Sequence, residues 1–259
     1  LQQIIGVALP PATRQNLTRM LKDALGDEAD QHFTEYLRRH QPVVFVGPYE
    51  HHSNEISWRE NLATVVEVRL DSVGGIDLEH LEQLLQKPEY QDRMRIGSFS
   101  AASNVTGMRT PTNRIAALLH RYGALAFFDY AASAPYVRID MNPDPDQYEG
   151  DASLDAVFIS PHKFLGGPGS MGVLVFNKRI YHSELPPSVS AGGTVDYVGP
   201  ASQDFIQDIE EREKAGTPGV LQILKAGIAF QVKDHIGVEV IERREQELVN
   251  KTLERWHAT

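Results

Sequence analysis

Short apolar runs alternate with longer amphipathic stretches along the chain, a pattern typical of proteins in which strands and helices alternate. Runs of β-branched and aromatic residues predict six strands, at 43–47, 64–70, 95–100, 124–128, 156–159 and 173–176. Apolar positions at helical spacing predict helices over 12–24, 30–40, 77–86, 111–123, 220–233 and 238–257. The stretch 186–200 is rich in Pro, Gly and Ser, and it predicts a loop.

The alternation of strands and helices favours an α/β fold with three layers, in which a mostly parallel sheet is flanked by helices. The strand runs are short and continuously apolar, as expected for strands that are buried on both faces. Ligands of such sheets bind beyond the carboxyl ends of the strands. The pattern therefore predicts a binding site at one edge of the sheet.

Polar residues follow four of the predicted strands, at the point where each strand ends. If the sheet is parallel, these residues meet at the same edge. They are His51 and His52 after the first strand, Asn104 after the third, Asp129 after the fourth, and Ser160, His162 and Lys163 after the fifth.

Lys163 stands in a glycine-rich turn between two apolar runs, 156–159 and 173–176. At the end of a core strand we expect its amine to be poorly solvated and suited to nucleophilic chemistry. The alternative from this stretch alone is a surface lysine in a loop, because glycine-rich loops are common.

Composition narrows the functional classes. The 259 residues are 41% hydrophobic and 23% charged, and no apolar run is long enough to span a bilayer. The net charge of −10 is spread along the chain, which argues against nucleic-acid binding. The chain has no cysteine, so it supplies no disulfide and no thiol nucleophile. We expect a cytoplasmic protein with a small-molecule substrate.

A lysine, a strand-end aspartate, a histidine and a Ser/His pair together suit pyridoxal 5'-phosphate. This cofactor needs a lysine amine for its Schiff base and a carboxylate against its pyridine nitrogen, so that the protonated ring withdraws electrons. It also needs a group that stacks on the ring and donors for the phosphate. The apolar strand before Asp129 favours burial of that carboxylate, which strengthens its pairing with a pyridinium.

Five motifs in order resemble the class V aminotransferase family of fold-type I pyridoxal-phosphate enzymes, most of all its cysteine desulfurase and selenocysteine lyase branch. The motifs are Glu50-His51-His52-Ser53-Asn54 with Trp58, Ser103-Asn104-Val105-Thr106-Gly107, Phe128-Asp129 with Ala131, Ser160-Pro161-His162-Lys163, and Ala215-Gly216-Thr217-Pro218. The resemblance covers nearly the whole chain.

The resemblance implies a role for each matched residue. Lys163 forms the Schiff base and then transfers protons at the α-carbon of an amino-acid substrate. His51 stacks on the cofactor ring and is a second catalytic residue that relays protons, with His52 as the competitor for the stacking role. The remaining implied roles are Asn104 at the phenolic oxygen, Asp129 at the pyridine nitrogen, Ser160 and His162 at the phosphate, and Thr217 at the phosphate of the partner subunit in a homodimer.

The resemblance also implies a domain division. Residues 1–233 would form the cofactor-binding large domain, incomplete at its N-terminus, and residues 234–259 would lead into a small C-terminal domain outside this chain. The family's catalytic cysteine and its carboxylate-binding arginine are expected in that outside part. The chain further departs from the family at Ala132, where a glutamine is usual.

These departures leave the reaction open. Sulfur or selenium elimination, transamination and a related cleavage at the α- or β-carbon all fit the motifs. The alternative to an enzyme is a non-catalytic member that keeps the fold as a scaffold or dimerisation partner. No Gly-x-Ser-x-Gly or Gly-x-Gly-x-x-Gly motif supports a hydrolase or a nucleotide binder.

Overall fold

The computed structural model describes residues 1–257 and contains a six-stranded sheet. Its strands are β1 (Val43–Val46), β2 (Thr64–Glu67), β3 (Arg95–Ser100), β4 (Leu125–Asp129), β5 (Ala156–Ile159) and β6 (Val173–Phe176). Their spatial order is β2-β1-β3-β4-β5-β6. The first five strands pair in parallel, and β6 pairs antiparallel with β5. The mostly parallel α/β fold expected from the sequence is confirmed.

Six of the eight helices in residues 1–257 lie at or near their expected places, whereas the short helices at His52–Arg59 and Ile209–Arg212 were not expected. The eight helices are α1 (Pro11–Leu25), α2 (Asp27–His40), α3 (His52–Arg59), α4 (Leu78–Leu85), α5 (Thr112–Arg121), α6 (Ile209–Arg212), α7 (Val220–Ile236) and α8 (Val238–His257). Asp77 caps α4 as expected, because its carboxylate accepts the His80 N–H at 2.9 Å. Across residues 1–257, no helix combines the length and apolar character that a membrane crossing requires.

Three further details differ from the sequence expectation. The strand expected at 64–70 ends at Glu67, and the helix expected to end at residue 233 continues to Ile236. Gly237, with φ 84°, then separates α7 from α8. The loop expected at 186–200 contains the strand β7 (Val195–Val198), which pairs antiparallel with β8 (Gln203–Phe205). Most residues of this hairpin are exposed, so no apolar run marked it in the sequence.

Apolar side chains fill both faces of the sheet, so the sheet is the middle of three layers. Adjacent residues of a strand point to opposite faces. Phe128 packs with α4 and α5 on one face, whereas Phe127 packs with Trp58 of α3 on the other. A Cβ on Gly97 would lie 2.4 Å from Leu119, so a glycine in β3 allows α5 to approach the sheet closely.

A charged cluster joins the strands at the amino end of β5. The fully buried Asp155 accepts the Ala126 N–H at 2.9 Å, Arg179 Nε at 2.9 Å and His120 Nε2 at 2.9 Å. His120 Nδ1 also lies 2.8 Å from the Asp151 carbonyl oxygen. Burial raises the pKa of Asp155, but the hydrogen bonds from His120 and Ala126 and the charge of Arg179 outweigh it, so the pKa is lowered.

We expect Asp155→Ala to lower the free energy of unfolding by about 3 kcal/mol near neutral pH, because the variant leaves buried donors without their acceptor. The stabilisation by Asp155 is present above its ordinary pKa and is lost as the pH falls through the lowered value. Urea denaturation at several pH values measures the difference. Asp92→Ala, at an exposed position, serves as the control and should change stability by less than about 0.5 kcal/mol. A loss that stays constant down to strongly acid pH would contradict this account.

Candidate active site

The carboxyl ends of β1, β3, β4 and β5 border a cavity of about 350 Å³. Six of the seven residues that the sequence suggested line this cavity, and they come from four separate segments of the chain. They are His51, Asn104, Asp129, Ser160, His162 and Lys163. The seventh, Thr217, lies in a separate surface hollow with Gly193 and Lys214.

The turn that carries Lys163 is anchored by apolar residues on either side of it. Pro161 and Phe164 are buried, while the side chains of His162 and Lys163 are exposed. The expectation of a poorly solvated lysine is therefore wrong for this structure, because Lys163 lies exposed on the short helical turn after β5. A Cβ on Gly167 would lie 1.9 Å from the Pro161 carbonyl oxygen, so the return of this turn requires a glycine.

Asp129 is the buried carboxylate of the cavity, and only 9% of the residue is exposed. Its Oδ1 accepts the Ala131 N–H at 2.8 Å, which fixes the orientation of the carboxylate. Among the described residues no donor reaches Oδ2. This oxygen can therefore accept a hydrogen bond from a protonated ring nitrogen in the cavity, as a pyridinium requires.

His51 is the N-terminal cap of α3. Its Nδ1 accepts the Ser53 N–H at 3.2 Å and lies 2.8 Å from Ser53 Oγ. Because Nδ1 acts as an acceptor, the ring proton of the neutral imidazole lies on Nε2. The cap fixes the position of the ring, and His51 lines the cavity. His52 is exposed and does not line the cavity.

Glu50 is a residue of the site that the sequence reasoning did not assign a role. Its Oε1 accepts the N–H groups of Gly47 (3.1 Å) and Ser100 (2.9 Å), and its Oε2 accepts Ser100 Oγ and Asn54 Nδ2, both at 2.7 Å. The carboxylate thus ties the ends of β1 and β3 to α3 directly beside His51. Burial raises the pKa of Glu50, and these four donors oppose the shift.

A tight loop presents Asn104 at the cavity. Ser103 Oγ accepts the N–H groups of Val105 and Thr106, both at 3.2 Å, and an isolated bridge pairs Ala102 with Arg109. The loop is thus fixed at its base, and Asn104 is exposed near its tip. Ala132, on the segment after Asp129, also lines the cavity and offers no polar side-chain atom.

Known proteins with similar sequences belong to one family. The sequence model of the family described as aminotransferase class-V matches residues 32–258. A probable cysteine desulfurase of Chlamydia muridarum is 35% identical over 206 residues, which are 75% of this chain and 48% of that protein. A probable cysteine desulfurase of Halalkalibacterium halodurans is 29% identical over 216 residues, 82% of this chain and 49% of that protein. The chain spans about half the length of these curated relatives.

Solved structures show the same fold. The apo structure of a cysteine desulfurase from Thermococcus onnurineus has a TM-score of 0.68 at 23% identity, covering 83% of this chain and 51% of that one. A cysteine desulfurase from Escherichia coli has a TM-score of 0.65 at 21% identity, covering 92% of this chain and 64% of that one. At these identities the likeness concerns the fold alone.

We expect Glu50→Ala to lower the free energy of unfolding by about 3 kcal/mol, because it removes the side-chain acceptor of the Gly47 and Ser100 N–H groups and one of the two acceptors of the Asn54 amide. Glu50→Gln should lose less, because one oxygen is retained. Chemical denaturation measures both, with the exposed Glu60→Ala as the matched control. Equal stability of Glu50→Ala and Glu60→Ala would show that the network does not stabilise this edge of the sheet.

Proposed function

The chain belongs to the aminotransferase class V family, and we propose that it acts on an amino acid by cysteine desulfurase-like or transaminase chemistry with Lys163 as its reactive amine. Class V aminotransferases and cysteine desulfurases depend on pyridoxal phosphate. One observation carries the proposal. A single cavity at the edge of the sheet brings together the amine of Lys163, the buried carboxylate of Asp129 and the ring of His51.

The residues present fit the cofactor at its ring. Asp129 has a carboxylate oxygen that no described donor reaches, and it is buried enough to favour pairing with a pyridinium. Lys163 would hold the cofactor through its amine, and its exposure leaves it accessible to an incoming molecule. When bound, pyridoxal phosphate is an electron sink that stabilises negative charge at the substrate's α-carbon.

The phosphate end of the cofactor fits the turn that begins at Ser160. The Ser160 hydroxyl makes no hydrogen bond to the described residues, and both Ser160 and His162 line the cavity. A hydroxyl and an imidazole N–H are suitable donors for phosphate oxygens. We assign these two residues to phosphate binding in one subunit.

Proton transfer at the substrate is assigned to Lys163. It carries the only amine among the described residues that line the cavity. A freely rotating amine can accept a proton from the α-carbon and return it to another position, as general acid–base catalysis requires. His51 has its Nδ1 engaged in the helix cap, so we assign it to stacking, with Nε2–H directed away from the cap.

The contacts around the phenolic oxygen differ from the family pattern. Asn104 lines the cavity and can donate a hydrogen bond there, whereas Ala132 cannot. We therefore assign this contact to Asn104 alone. The chain contains no cysteine, so a desulfurase reaction would need a thiol from outside these 259 residues. A transaminase reaction needs none, and both remain within the proposal.

We further propose a homodimer that pairs through α7. The first half of this helix is mostly apolar, with Gln222 and Lys225 as its polar residues, and an apolar helix face is normally buried. Its exposed apolar residues are Val220, Leu221, Ile223, Leu224 and Ile228. Thr217 lies directly before the helix, outside the cavity of its own chain, as expected of a residue that reaches the phosphate in a second copy. We also propose that residues 1–233 form a large domain and that residues 234–259 begin a small one.

Lys163→Ala should abolish the visible absorption that develops when the wild type is mixed with pyridoxal phosphate, because no amine then bonds the aldehyde. Lys163→Arg should give the same loss, since it keeps the charge but not the primary amine. The exposed Lys178→Ala is the control and should absorb like the wild type. Equal absorption and equal turnover of amino acids in wild type and Lys163→Ala would overturn the proposed function.

Leu221→Glu should weaken dimerisation at least about tenfold, because it places a charge in an apolar interface. Val73→Glu is a matched control, since both side chains are 77% exposed in the single chain. Sedimentation equilibrium measures the association of each variant. A wild type that stays monomeric at high concentration, or a Leu221→Glu variant that associates as tightly as Val73→Glu, would contradict the proposed interface.

A further inference from the structure

Lys233 lies in the last turn of α7, and its amine contacts segments outside that helix. Nζ donates to the carbonyl oxygens of Ala134 and Val137, both at 2.6 Å. It also lies 5.7 Å from the centre of the Phe164 ring, over its face. One ammonium group therefore contacts two different segments of the chain, and neither segment belongs to its own helix.

These two segments carry the proposed reactive residues. The first begins at Asp129 and runs through Ala132 to Val137, and the second is the turn in which Phe164 directly follows Lys163. Both Asp129 and Lys163 line the same cavity. The contacts of Lys233 therefore join the backbone that positions the carboxylate to the turn that positions the amine.

A neighbouring residue of α7 supports the same turn. The Phe230 ring packs edge-on against the Phe164 ring, with centroids 4.9 Å apart. Phe230 and Lys233 are three residues apart, so they lie on one face of the helix. The Phe230 ring contacts only Phe164, whereas the Lys233 ammonium contacts Phe164 and also the carbonyl groups of Ala134 and Val137.

Partial burial of a charged lysine is unfavourable, and apolar packing of α7 alone would not require one. Lys233 is half-buried, and among the described residues no carboxylate pairs with it. Burial lowers its pKa below the ordinary value. Two carbonyl oxygens and an aromatic face compensate its charge, and these contacts are directional. An apolar residue of similar length would fill the space but would not fix the two carbonyl groups.

We infer that Lys233 is a positioning residue of the cofactor site, which holds the segment after Asp129 in register with the turn that carries Lys163. The inference rests on the proposed function, because it assigns those two residues to the cofactor. Lys233 acts through backbone contacts and touches neither substrate nor cofactor.

The test compares Lys233→Met, which keeps the length but loses the donors, with Lys233→Arg, which keeps charge and donors. Lys251→Met, at an exposed position of α8, is the control. Hydrogen exchange of the purified proteins without cofactor reports on the amides of Ala134 and Val137. Titration with pyridoxal phosphate then gives the dissociation constant and the pH at which the visible absorption changes.

We expect Lys233→Met to exchange these amides faster, to bind pyridoxal phosphate about tenfold more weakly and to shift the pH of the absorption change. Lys233→Arg should restore most of each property, and Lys251→Met should match the wild type. Faster exchange with unchanged affinity and unchanged pH dependence would overturn the inference, because Lys233 would then be merely structural. Unchanged exchange would also overturn it.

Failure of the proposed function gives a different result. A wild type that develops no visible absorption with pyridoxal phosphate would overturn the proposed function and this inference with it. If the wild type binds the cofactor and Lys233→Met binds it equally well, only the inference about Lys233 fails. The exchange measurement needs no cofactor, so it separates a broken contact from a lost binding site.

Discussion

The parallel pairing of β1, β3, β4 and β5 is the constraint on which the site depends. Hydrogen-bond register places Ser100 opposite Asp129, and Asp129 opposite Phe158, so the strands end within a residue or two of one another. Each following loop then begins at the same edge of the sheet. Residues that are up to 112 positions apart in sequence, such as His51 and Lys163, line one cavity for this reason. At the amino ends of the strands, hydrogen bonds to the buried Asp155 stabilise the sheet instead of forming a binding site.

The exposed reactive groups at the carboxyl edge are positioned by a frame of buried groups, namely Pro161, Phe164 and the carboxylate of Glu50. Pro161, Phe164 and the close approach at Gly167 fix the turn, while the exposed Lys163 between them remains accessible. The buried carboxylate of Glu50 ties strand ends to the helix that His51 caps. Ordered backbone with accessible side chains suits a cofactor that must be held and also reached by a substrate. The frame thus explains how an exposed lysine can still be precisely placed in space.

Much of the fold was predictable, because buried parallel strands leave continuous apolar runs such as Val43–Val46 and helices leave periodic ones. The clustering of the site residues followed from the same fold, with the family resemblance supplying their roles. The hairpin of β7 and β8 was not predictable, since its exposed strands bury no apolar face. Glu50 and Lys233 were missed because backbone groups are two of the four hydrogen-bond partners of Glu50 and both of those of Lys233, and these leave no trace in the sequence. Exposure of Lys163 depends on the path of one turn, which composition does not determine.

The central claim is that the sheet edge presents Lys163 as the amine that bonds pyridoxal phosphate. Reduction of the loaded protein with sodium borohydride, followed by digestion and mass spectrometry of the peptides, tests it most directly. Reduction converts the carbon–nitrogen double bond into a stable single bond. The lysine that held the cofactor therefore carries the added mass of the cofactor through digestion. The account predicts a phosphopyridoxyl group on the peptide that contains Lys163, at close to one group per chain. A label found mainly on another lysine, or scattered over many lysines, would contradict it.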